Sequence, residues 1–301
     1  MISRSAENGT DRRNFLRAAG LTGAGVVAGS ALLGAGADKA AADGTISDGA
    51  ILNFALNLEY LEAQFYHYAV YGYGLDASLL TGKDSNGRVT GGAKVPFSSK
   101  AVQGIATEIA GDELAHVKFL RSALGDAKTA MPNIDLKNSF TTAARAAGLI
   151  GAGQTFDPFK DENSFLLGAF IFEDVGVTAY KGAAPLISNK TYLDAAAGIL
   201  SVEAYHAGII RKALLDKGLS SAANAISNAR DSLDGKTDDD QGITGSSGAV
   251  NLVPADANGL AYSRAPGQVL NVVYLNPGQV SEGGFFPNSI NGTLRVSQNN
   301  S

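Results

Sequence analysis

The sequence predicts an all-α protein, a four-helix bundle with one long crossover, followed by an irregular C-terminal extension. Apolar residues recur with helical spacing in four long segments. Capping residues precede these segments, and glycine or proline follows them. A long connection, residues 126–162, separates the first pair of segments from the second. This order of a pair, a crossover and a second pair is that of a four-helix bundle with one long connection.

Each predicted helix has residues that explain where it begins or ends. Serine or aspartate side chains can cap the first two helices, and Gly218 can follow the last turn of the fourth. A short additional helix is expected inside the long connection. The predicted helices span residues 48–72, 99–125, 139–149, 163–183 and 190–217, with Ser47 or Asp48 as the cap of the first and Ser98 or Ser99 as the cap of the second.

The segment after the fourth helix differs in composition. It starts with a short helical pattern, passes through three aspartates at 238–240 and becomes rich in glycine, asparagine and proline. Residues 269–274 could form a single strand, although no hairpin partner is evident. We expect irregular structure that wraps the bundle. The predicted organisation is an export signal over 1–42, the bundle over 45–219 and the extension over 220–301.

The amino terminus has the pattern of an export signal. Arg12 and Arg13 are adjacent, and a stretch of alanine, glycine, leucine and valine from 18 to 37 leads to small-residue sites before Ala42. The paired arginines resemble a twin-arginine signal. That resemblance implies the twin-arginine translocation machinery as a partner and a periplasmic or extracellular location. A membrane anchor is the alternative, and the weak hydrophobicity of the stretch disfavours it.

Composition narrows the chemistry that the chain can perform. The net charge is −5, and the 24 lysines and arginines do not cluster into a basic face. We therefore expect no nucleic acid as a partner. The chain has no cysteine, which excludes disulfides, thiolate ligands and cysteine nucleophiles. Any metal must be held by oxygen and imidazole nitrogen, a set that suits iron, manganese or zinc.

Two of the three histidines follow a glutamate by three residues, as Glu113–His116 and Glu203–His206. Residues three apart share one face of a helix, so each pair presents a carboxylate and an imidazole together. A glutamate from each of two other helices would complete a six-ligand dinuclear metal site. Glu173 is the clearest of these, because an unpaired carboxylate in so apolar a segment would be costly.

Several segments give the sequence a family resemblance over residues 45–295. It is similar to the ferritin-like proteins of the desiccation-related group. The resemblance implies a di-iron or di-manganese carboxylate site that acts on hydrogen peroxide or dioxygen, as in ferritins, rubrerythrins and manganese catalases. It also implies a role in desiccation or oxidative stress. The similar segments are I-L-N-F-A-L-N-L-E-Y-L-E-A-Q-F-Y, D-E-L-A-H, F-E-D-V-G-V-T-A-Y-K-G-A, V-E-A-Y-H-A, G-Q-V-L-N-V-V-Y and G-G-F-F-P-N-S-I-N-G.

The resemblance also guides the choice of ligand on the first helix. The segment that begins at Glu62 resembles the first-helix motif of rubrerythrin-type proteins, so we prefer Glu62 as the ligand. Glu59 then lies behind the ligands, or replaces Glu62 if the register differs. The predicted set for two iron or two manganese ions is Glu62, Glu113, His116, Glu173, Glu203 and His206.

Four other residues on these helices are expected to support the structure or the ligands rather than bind metal. Asp112 stands four residues before His116 and could accept a hydrogen bond from its ring. The position equivalent to Asp112 before Glu203 is Val202. His67 points away from the predicted site and is expected to be structural or at the surface. Tyr66 and Tyr180 are expected to be core aromatics, with a role as redox neighbours as the alternative.

The leading functional prediction is an exported dimetal protein of the catalase or peroxidase type that consumes hydrogen peroxide or dioxygen. The absence of cysteine excludes the rubredoxin module of a complete rubrerythrin. Three alternatives stay open: a metal-binding or structural stress-protective protein without turnover, a ferritin-type storage cage, and a metal-free scaffold. The sequence also leaves a homo-oligomer open.

Overall fold

Four long helices form the body of the protein, and the computed structural model describes residues 46–245 and 247–300. The predicted export signal, residues 1–42, lies outside the described residues. The helices of the described part are α1 (Asp48–Tyr71), α2 (Lys100–Leu124), α3 (Asn138–Ala146), α4 (Glu162–Ala183), α5 (Lys190–Asp216), α6 (Ser220–Asp234) and α7 (Pro266–Val273), and the strands are β1 (Val89–Gly91) and β2 (Ile134–Leu136).

The long helices pair in the order that the sequence predicts. The start of α1 lies beside the end of α2, where Thr129 N donates to Asn53 Oδ1 at 2.8 Å. The start of α4 lies beside the end of α5, where Lys217 Nζ is 2.5 Å from Glu162 Oε1. Each pair is therefore antiparallel, and the connection from α2 to α4 is the long crossover. The prediction of an all-α, ferritin-like four-helix bundle is confirmed.

The capping residues explain the helix ends. Ser47 Oγ accepts a hydrogen bond from Ala50 N at 3.2 Å, and Gly72 ends α1 in the left-handed conformation with φ of 84°. Ser99 caps α2 by accepting from Val102 N at 3.3 Å. Side-chain caps of this kind stabilise a helix by about 1 kcal/mol.

Aromatic side chains fill the core between the two helix pairs. Phe65 of α1 stacks on Phe165 of α4 at a centroid distance of 5.5 Å, and also contacts Phe140 of the crossover at 5.4 Å. All three rings are fully buried. Truncation of such a ring to alanine costs about 3–5 kcal/mol, so this cluster fixes how the two pairs pack together.

Two short strands connect the loops at one side of the bundle. The sequence indicated only loops there, but β1 and β2 pair in parallel with Val89 opposite Ile134 and Gly91 opposite Leu136. The pairing joins the α1–α2 loop to the crossover. Strands this short give no alternating pattern long enough to recognise in the sequence.

The C-terminal extension contains two helices and packs against α4. The prediction of a strand over 269–274 is wrong, because residues Pro266–Val273 form α7. Pro266 at its first turn suits a helix start, and Gln268 Oε1 accepts from Ala265 N at 2.9 Å. A run of β-branched residues buried on several sides resembles a strand in sequence. None of the helices in the described part of the chain is both long and apolar enough to cross a membrane.

Candidate metal centre

The bundle brings carboxylates and both E-x-x-H pairs together at its centre. Each helix pair contributes one glutamate from its first helix and a glutamate with a histidine from its second. Their ligand atoms form two overlapping groups in which all atoms lie within 4.8 Å of one another. The first group is Glu59, Glu113, His116 and Glu203, and the second is Glu113, Glu173, Glu203 and His206.

Both imidazoles direct Nδ1 into the cluster. His116 Nδ1 lies 3.2 Å from Glu59 Oε2 and 3.4 Å from Glu113 Oε2. His206 Nδ1 lies 3.1 Å from Glu113 Oε1 and 3.4 Å from Glu173 Oε2. The two rings are 6.5 Å apart. Each group thus has one imidazole and one carboxylate of its own, and the two groups share Glu113 and Glu203.

On α1 the structure brings Glu59, and not the preferred Glu62, into these groups. The two residues are three apart and lie on overlapping faces of the helix, so the sequence alone left both registers open. Glu62 is buried nearby, one turn closer to the end of α1. The other five predicted ligands all lie in the groups. The geometry therefore favours the alternative in which Glu59 replaces Glu62 as the ligand.

Two tyrosines tie the helix pairs to each other. Tyr66 of α1 donates a short hydrogen bond to Glu173 Oε1 of α4, and Tyr180 of α4 donates one to Glu59 Oε1 of α1. Both tyrosines are buried, as expected for core aromatics. Each pair obeys the same spacing, a glutamate followed seven residues later by a tyrosine. That repeated spacing is the sequence signal that identifies Glu59 in the first helix pair as the counterpart of Glu173 in the second.

Asp112 contacts a different histidine from the one expected. Its Oδ2 lies 3.3 Å from Nε2 of His206 on α5, across the interface, rather than beside His116 on its own helix. Asp112 and His206 lie on different helices and meet only in the folded bundle, so the residue spacing within α2 could not show their contact. Asp112 is 45% exposed at its side chain, and it connects the buried imidazole to the surface. A carboxylate in this position fixes the ring orientation of a metal-ligating histidine.

Burial and mutual charge set the protonation of the cluster. Burial raises the pKa of Glu59 to about 7, and it raises the pKa of Glu203 well above the ordinary value, together with repulsion from Glu62 and Glu113. Burial would lower the pKa of His116, but Glu59 and Glu113 outweigh it and raise that pKa to about 11. Burial would raise the pKa of Glu113, and the adjacent imidazoles instead lower it. The metal-free cluster therefore retains several protons at neutral pH.

Several ligand atoms form no hydrogen bond to a described residue, and those of Glu113, Glu173 and His206 have only the imidazole–carboxylate contacts given above. Buried polar atoms are normally paired, and an unpaired one costs about 1–3 kcal/mol. A bound cation removes this cost, and oxygen with imidazole nitrogen is the donor set that iron and manganese accept. The residues are thus compatible with a dimetal site. The unpaired atoms are Oε1 and Oε2 of Glu113, Oε2 of Glu173, Oε1 and Oε2 of Glu203, and Nδ1 of His206.

His67 lies apart from the cluster. It is half-buried near the end of α1, and its Nδ1 is 3.0 Å from the carbonyl oxygen of Tyr73. Its ring also contacts Tyr71 at a centroid distance of 4.6 Å. A structural role of this kind is what the sequence indicated.

Comparisons with known proteins agree with the fold. The ferritin-like domain family matches residues 47–216, more than half of the chain. The ferritin-like catalase Nec2 of Nesocodon mauritianus is 28% identical over 80% of this chain and 82% of its own length. The desiccation-related protein PCC13-62 of Craterostigma plantagineum is 30% identical over 79% of this chain and 81% of its own length. None of the solved structures matches the chain significantly. The chain therefore belongs to the ferritin-like domain family and, within it, to the desiccation-related group.

Proposed function

We propose that this protein is an exported dimetal protein that disproportionates hydrogen peroxide. The observation that carries the proposal is the pair of overlapping ligand groups that share Glu113 and Glu203. Four ligand carboxylates offset the charge of two divalent cations, which we propose are two irons or two manganeses. The relative named as a ferritin-like catalase supports the same reaction class.

The reaction requires no external electron donor. One peroxide loses two electrons and two protons and becomes dioxygen, and a second takes up those electrons and protons and becomes two waters. The metal ions, when bound, supply the reversible electron exchange for these two halves. The chain has no cysteine and no redox-active thiol, so a reaction in which peroxide is both oxidant and reductant suits it.

The protein residues hold the site and handle protons. Glu59 and Glu173 each receive a tyrosine hydrogen bond that fixes one oxygen. His206 contacts the half-exposed Asp112 through Nε2, and this contact gives protons a route between the buried cluster and the surface. The buried surroundings exclude bulk water and strengthen the electrostatic interactions within the cluster.

Oxygen release from peroxide by metal-loaded protein tests this function. Glu113→Gln and His116→Gln should each abolish it, because each removes a ligand from the cluster. Glu282→Gln at an exposed site and His67→Gln outside the cluster are the matched controls and should retain it. Loaded wild-type protein that binds both metals and releases no oxygen would contradict the proposal.

A stress-protective protein with a structural metal is the second candidate. The near-complete burial of all six ligand residues favours it, as does the relative named as a desiccation-related protein. Metal would then raise the unfolding temperature through its binding free energy without any peroxide consumption. The same oxygen measurement separates the two candidates.

A further inference from the structure

One side of the bundle leaves large apolar side chains uncovered. Tyr205 and Ile209 of α5 are 73% and 41% exposed, and Val253 of the extension is 79% exposed. Single exposed apolar residues are common on protein surfaces, but these three line one groove. A contiguous exposed apolar patch of this kind marks an interaction site.

The groove lies between the start of α2 and the second half of α5, and its volume is about 810 Å³. Arg211 of α5 donates to the backbone oxygen of Asn251 at 2.8 Å. This bond fastens the loop that carries Val253 beside α5. We call this surface the α2–α5 face, and its lining residues include Val102, Ile105, Tyr205, Gly208, Ile209 and Ala213.

Two glycines on the outer sides of these helices have no use within the chain. Gly104 of α2 and Gly208 of α5 lie inside regular helices and do not have a positive φ. Their backbone does not require glycine, and glycine inside a helix is destabilising relative to alanine. A Cβ atom at either position would have no described neighbour within 4 Å. The absence of a side chain instead permits the close approach of a second backbone.

The α2–α5 face is complementary to itself. A two-fold contact brings the same patch of two copies together, so a patch with both a projecting side chain and a recess can fill its own recess. Tyr205 projects from α5, and the recess over Gly208 and Ala213 begins one turn further along the helix. Two antiparallel α5 helices that cross between Gly208 and Ile209 would place Tyr205 of each copy against the turn that carries Ala213 in the other.

The charges at the rim of the face also favour a second copy. Lys212 pairs with Asp216 of its own chain at 2.6 Å. Lys217 pairs with Glu162 of its own chain at 2.5 Å. The rim therefore carries no net charge that would repel an identical face.

The area of the face is close to what a stable dimer needs. Residues 201–217 of α5 extend about 25 Å, and two helices side by side are about 20 Å across, so the helices offer about 500 Å² per copy. The adjoining loop with Val253 extends this area toward the roughly 800 Å² per partner that stable interfaces bury.

We propose that the α2–α5 face joins two copies of this chain in a two-fold dimer, with Tyr205 of each copy seated in the groove of the other. The helices that carry the E-x-x-H pairs on their inner sides would then form the interface with their outer sides. The dimer is independent of the reaction at the cluster, so a failure of either leaves the other standing.

Sedimentation velocity of the purified protein tests the dimer. The wild type should sediment at twice the mass of one chain. Tyr205→Asp places a charge in the centre of the contact and should raise the dissociation constant at least about thirtyfold, as the loss of a central aromatic anchor does. Gly208→Glu fills the recess and should act in the same way. Tyr73→Asp is the matched control, because Tyr73 is 61% exposed and does not line the groove, and it should remain a dimer.

A cross-linking experiment locates the interface without relying on a disruptive variant. The chain has no cysteine, so a single introduced cysteine reports one contact. The Gly208→Cys variant has its cysteine near the two-fold axis, where a residue meets its own counterpart within the Cα separation of about 4.4–6.8 Å that a disulfide spans. Mild oxidation should give a covalent dimer on a non-reducing gel, whereas Tyr73→Cys should stay a single chain.

The same two experiments can overturn the proposal. A wild-type protein that sediments as a monomer at the highest concentration measured would refute it, whether the face then binds another protein or none. A wild-type dimer that persists in Tyr205→Asp and Gly208→Glu, with no disulfide in Gly208→Cys, would put the interface elsewhere and refute it as well.

Discussion

Glu113 and Glu203 are the residues on which the site depends most, because each belongs to both groups of ligand atoms. Both are fully buried; the oxygens of Glu113 lie 3.1–3.4 Å from the two imidazoles, and neither oxygen of Glu203 forms a hydrogen bond to a described residue. Each sits three residues before a histidine whose Nδ1 faces the cluster. The E-x-x-H motif thus supplies a shared carboxylate and a separate imidazole from a single turn of helix.

The two glutamates of α1 should differ in their effect on metal binding. Glu59→Gln removes a ligand of the first group, so we expect the affinity for iron or manganese to fall at least about a hundredfold, since even residues behind the ligands are worth about 10–100-fold. Glu62→Gln leaves both groups complete, so its effect should be smaller and no more than the roughly 10–100-fold of residues behind the ligands. Metal titration of both variants measures this difference. The opposite ranking would restore Glu62 as the ligand.

The raised pKa values of the cluster predict how the metal-free protein responds to pH. The pKa of Glu59 is raised by burial from 4.5 to about 7, and the carboxylates around His116 raise its pKa from 6.5 to about 11. The folded protein therefore binds more protons than the unfolded chain between about pH 5 and 8. Stability falls with rising pH wherever the folded state holds the extra protons.

We expect the unfolding midpoint of metal-free protein to decrease from about pH 5 to pH 8. Thermal unfolding followed by circular dichroism checks this, and Glu59→Gln should give a shallower decrease because one titrating group is gone. Metal binding displaces the same protons, so added metal should raise the midpoint more at pH 8 than at pH 5. An unfolding midpoint of the metal-free protein that rises from pH 5 to pH 8 would contradict the raised pKa values of Glu59 and His116.

Sequence reasoning identified five of the six residues in the two groups of the candidate site and missed how they contact one another. Spacing within one helix identified Glu113 with His116, because that relation is local. The partner of Asp112 lies on another helix, and the choice between Glu59 and Glu62 depends on the register of α1 against its neighbours. Neither follows from helical periodicity alone.

At the scale of elements, a buried ionic network joins α4 and α5 to the extension. Asp174, directly after Glu173, accepts from Arg211 at 2.7 Å and from Arg230 of α6 at 2.9 Å. Arg230 also binds Asp240 at 2.7 Å, so the network reaches from α4, which carries the candidate ligand Glu173, into the extension. Breaking one partner of such a network leaves a buried charge uncompensated.

Arg264→Leu should destabilise the protein strongly. The guanidinium of Arg264 is fully buried and binds Asp234 at 2.5 Å and Asp240 at 2.9 Å, so its removal leaves two buried carboxylates without that partner. We expect a loss of about 3–5 kcal/mol in the free energy of unfolding, measured by denaturant titration.

Lys212→Met is the matched control, because Lys212 pairs with Asp216 at the exposed surface. Loss of this pair should cost no more than about 0.5 kcal/mol. Equal losses for the two variants would show that the buried network does not hold the extension.

The elements differ in how far their sequence determined them. The two candidate caps given for each of α1 and α2 include the actual caps, Ser47 and Ser99, because capping is a local hydrogen-bond requirement. The segment of α7 was interpreted as a strand, since its valines favour both a strand and a buried helix of this length. Contacts with α4 and the loop at Phe285 decide between them, and these contacts are distant in sequence.

At the scale of the whole molecule, the chain combines a symmetric bundle with an asymmetric covering. The two helix pairs repeat the glutamate, tyrosine and E-x-x-H positions, and of these the sequence analysis predicted the two E-x-x-H pairs, because that relation is local. The extension covers one side of the bundle, where Asn57 of α1 binds the backbone of Asn291 at 2.9 Å. Composition indicated that this segment would wrap the bundle and could not indicate where.

Export by the twin-arginine route is a prediction from residues 1–42. Replacement of Arg12 and Arg13 by lysine should block export, because the adjacent arginines are the feature that the route reads. Cell fractionation of the expressed protein measures this, and Lys39→Arg within the same predicted signal is the control and should export normally. Undiminished export of the double-lysine variant would contradict the twin-arginine assignment.

The most direct test of the account is the metal content of the purified protein, measured by elemental analysis per chain. The account predicts about two irons or manganeses per chain, as the six-ligand arrangement of carboxylate bundles requires, and a marked loss in Glu113→Gln because Glu113 belongs to both ligand groups. A folded wild-type protein with no bound metal and no uptake on addition of iron or manganese would contradict it.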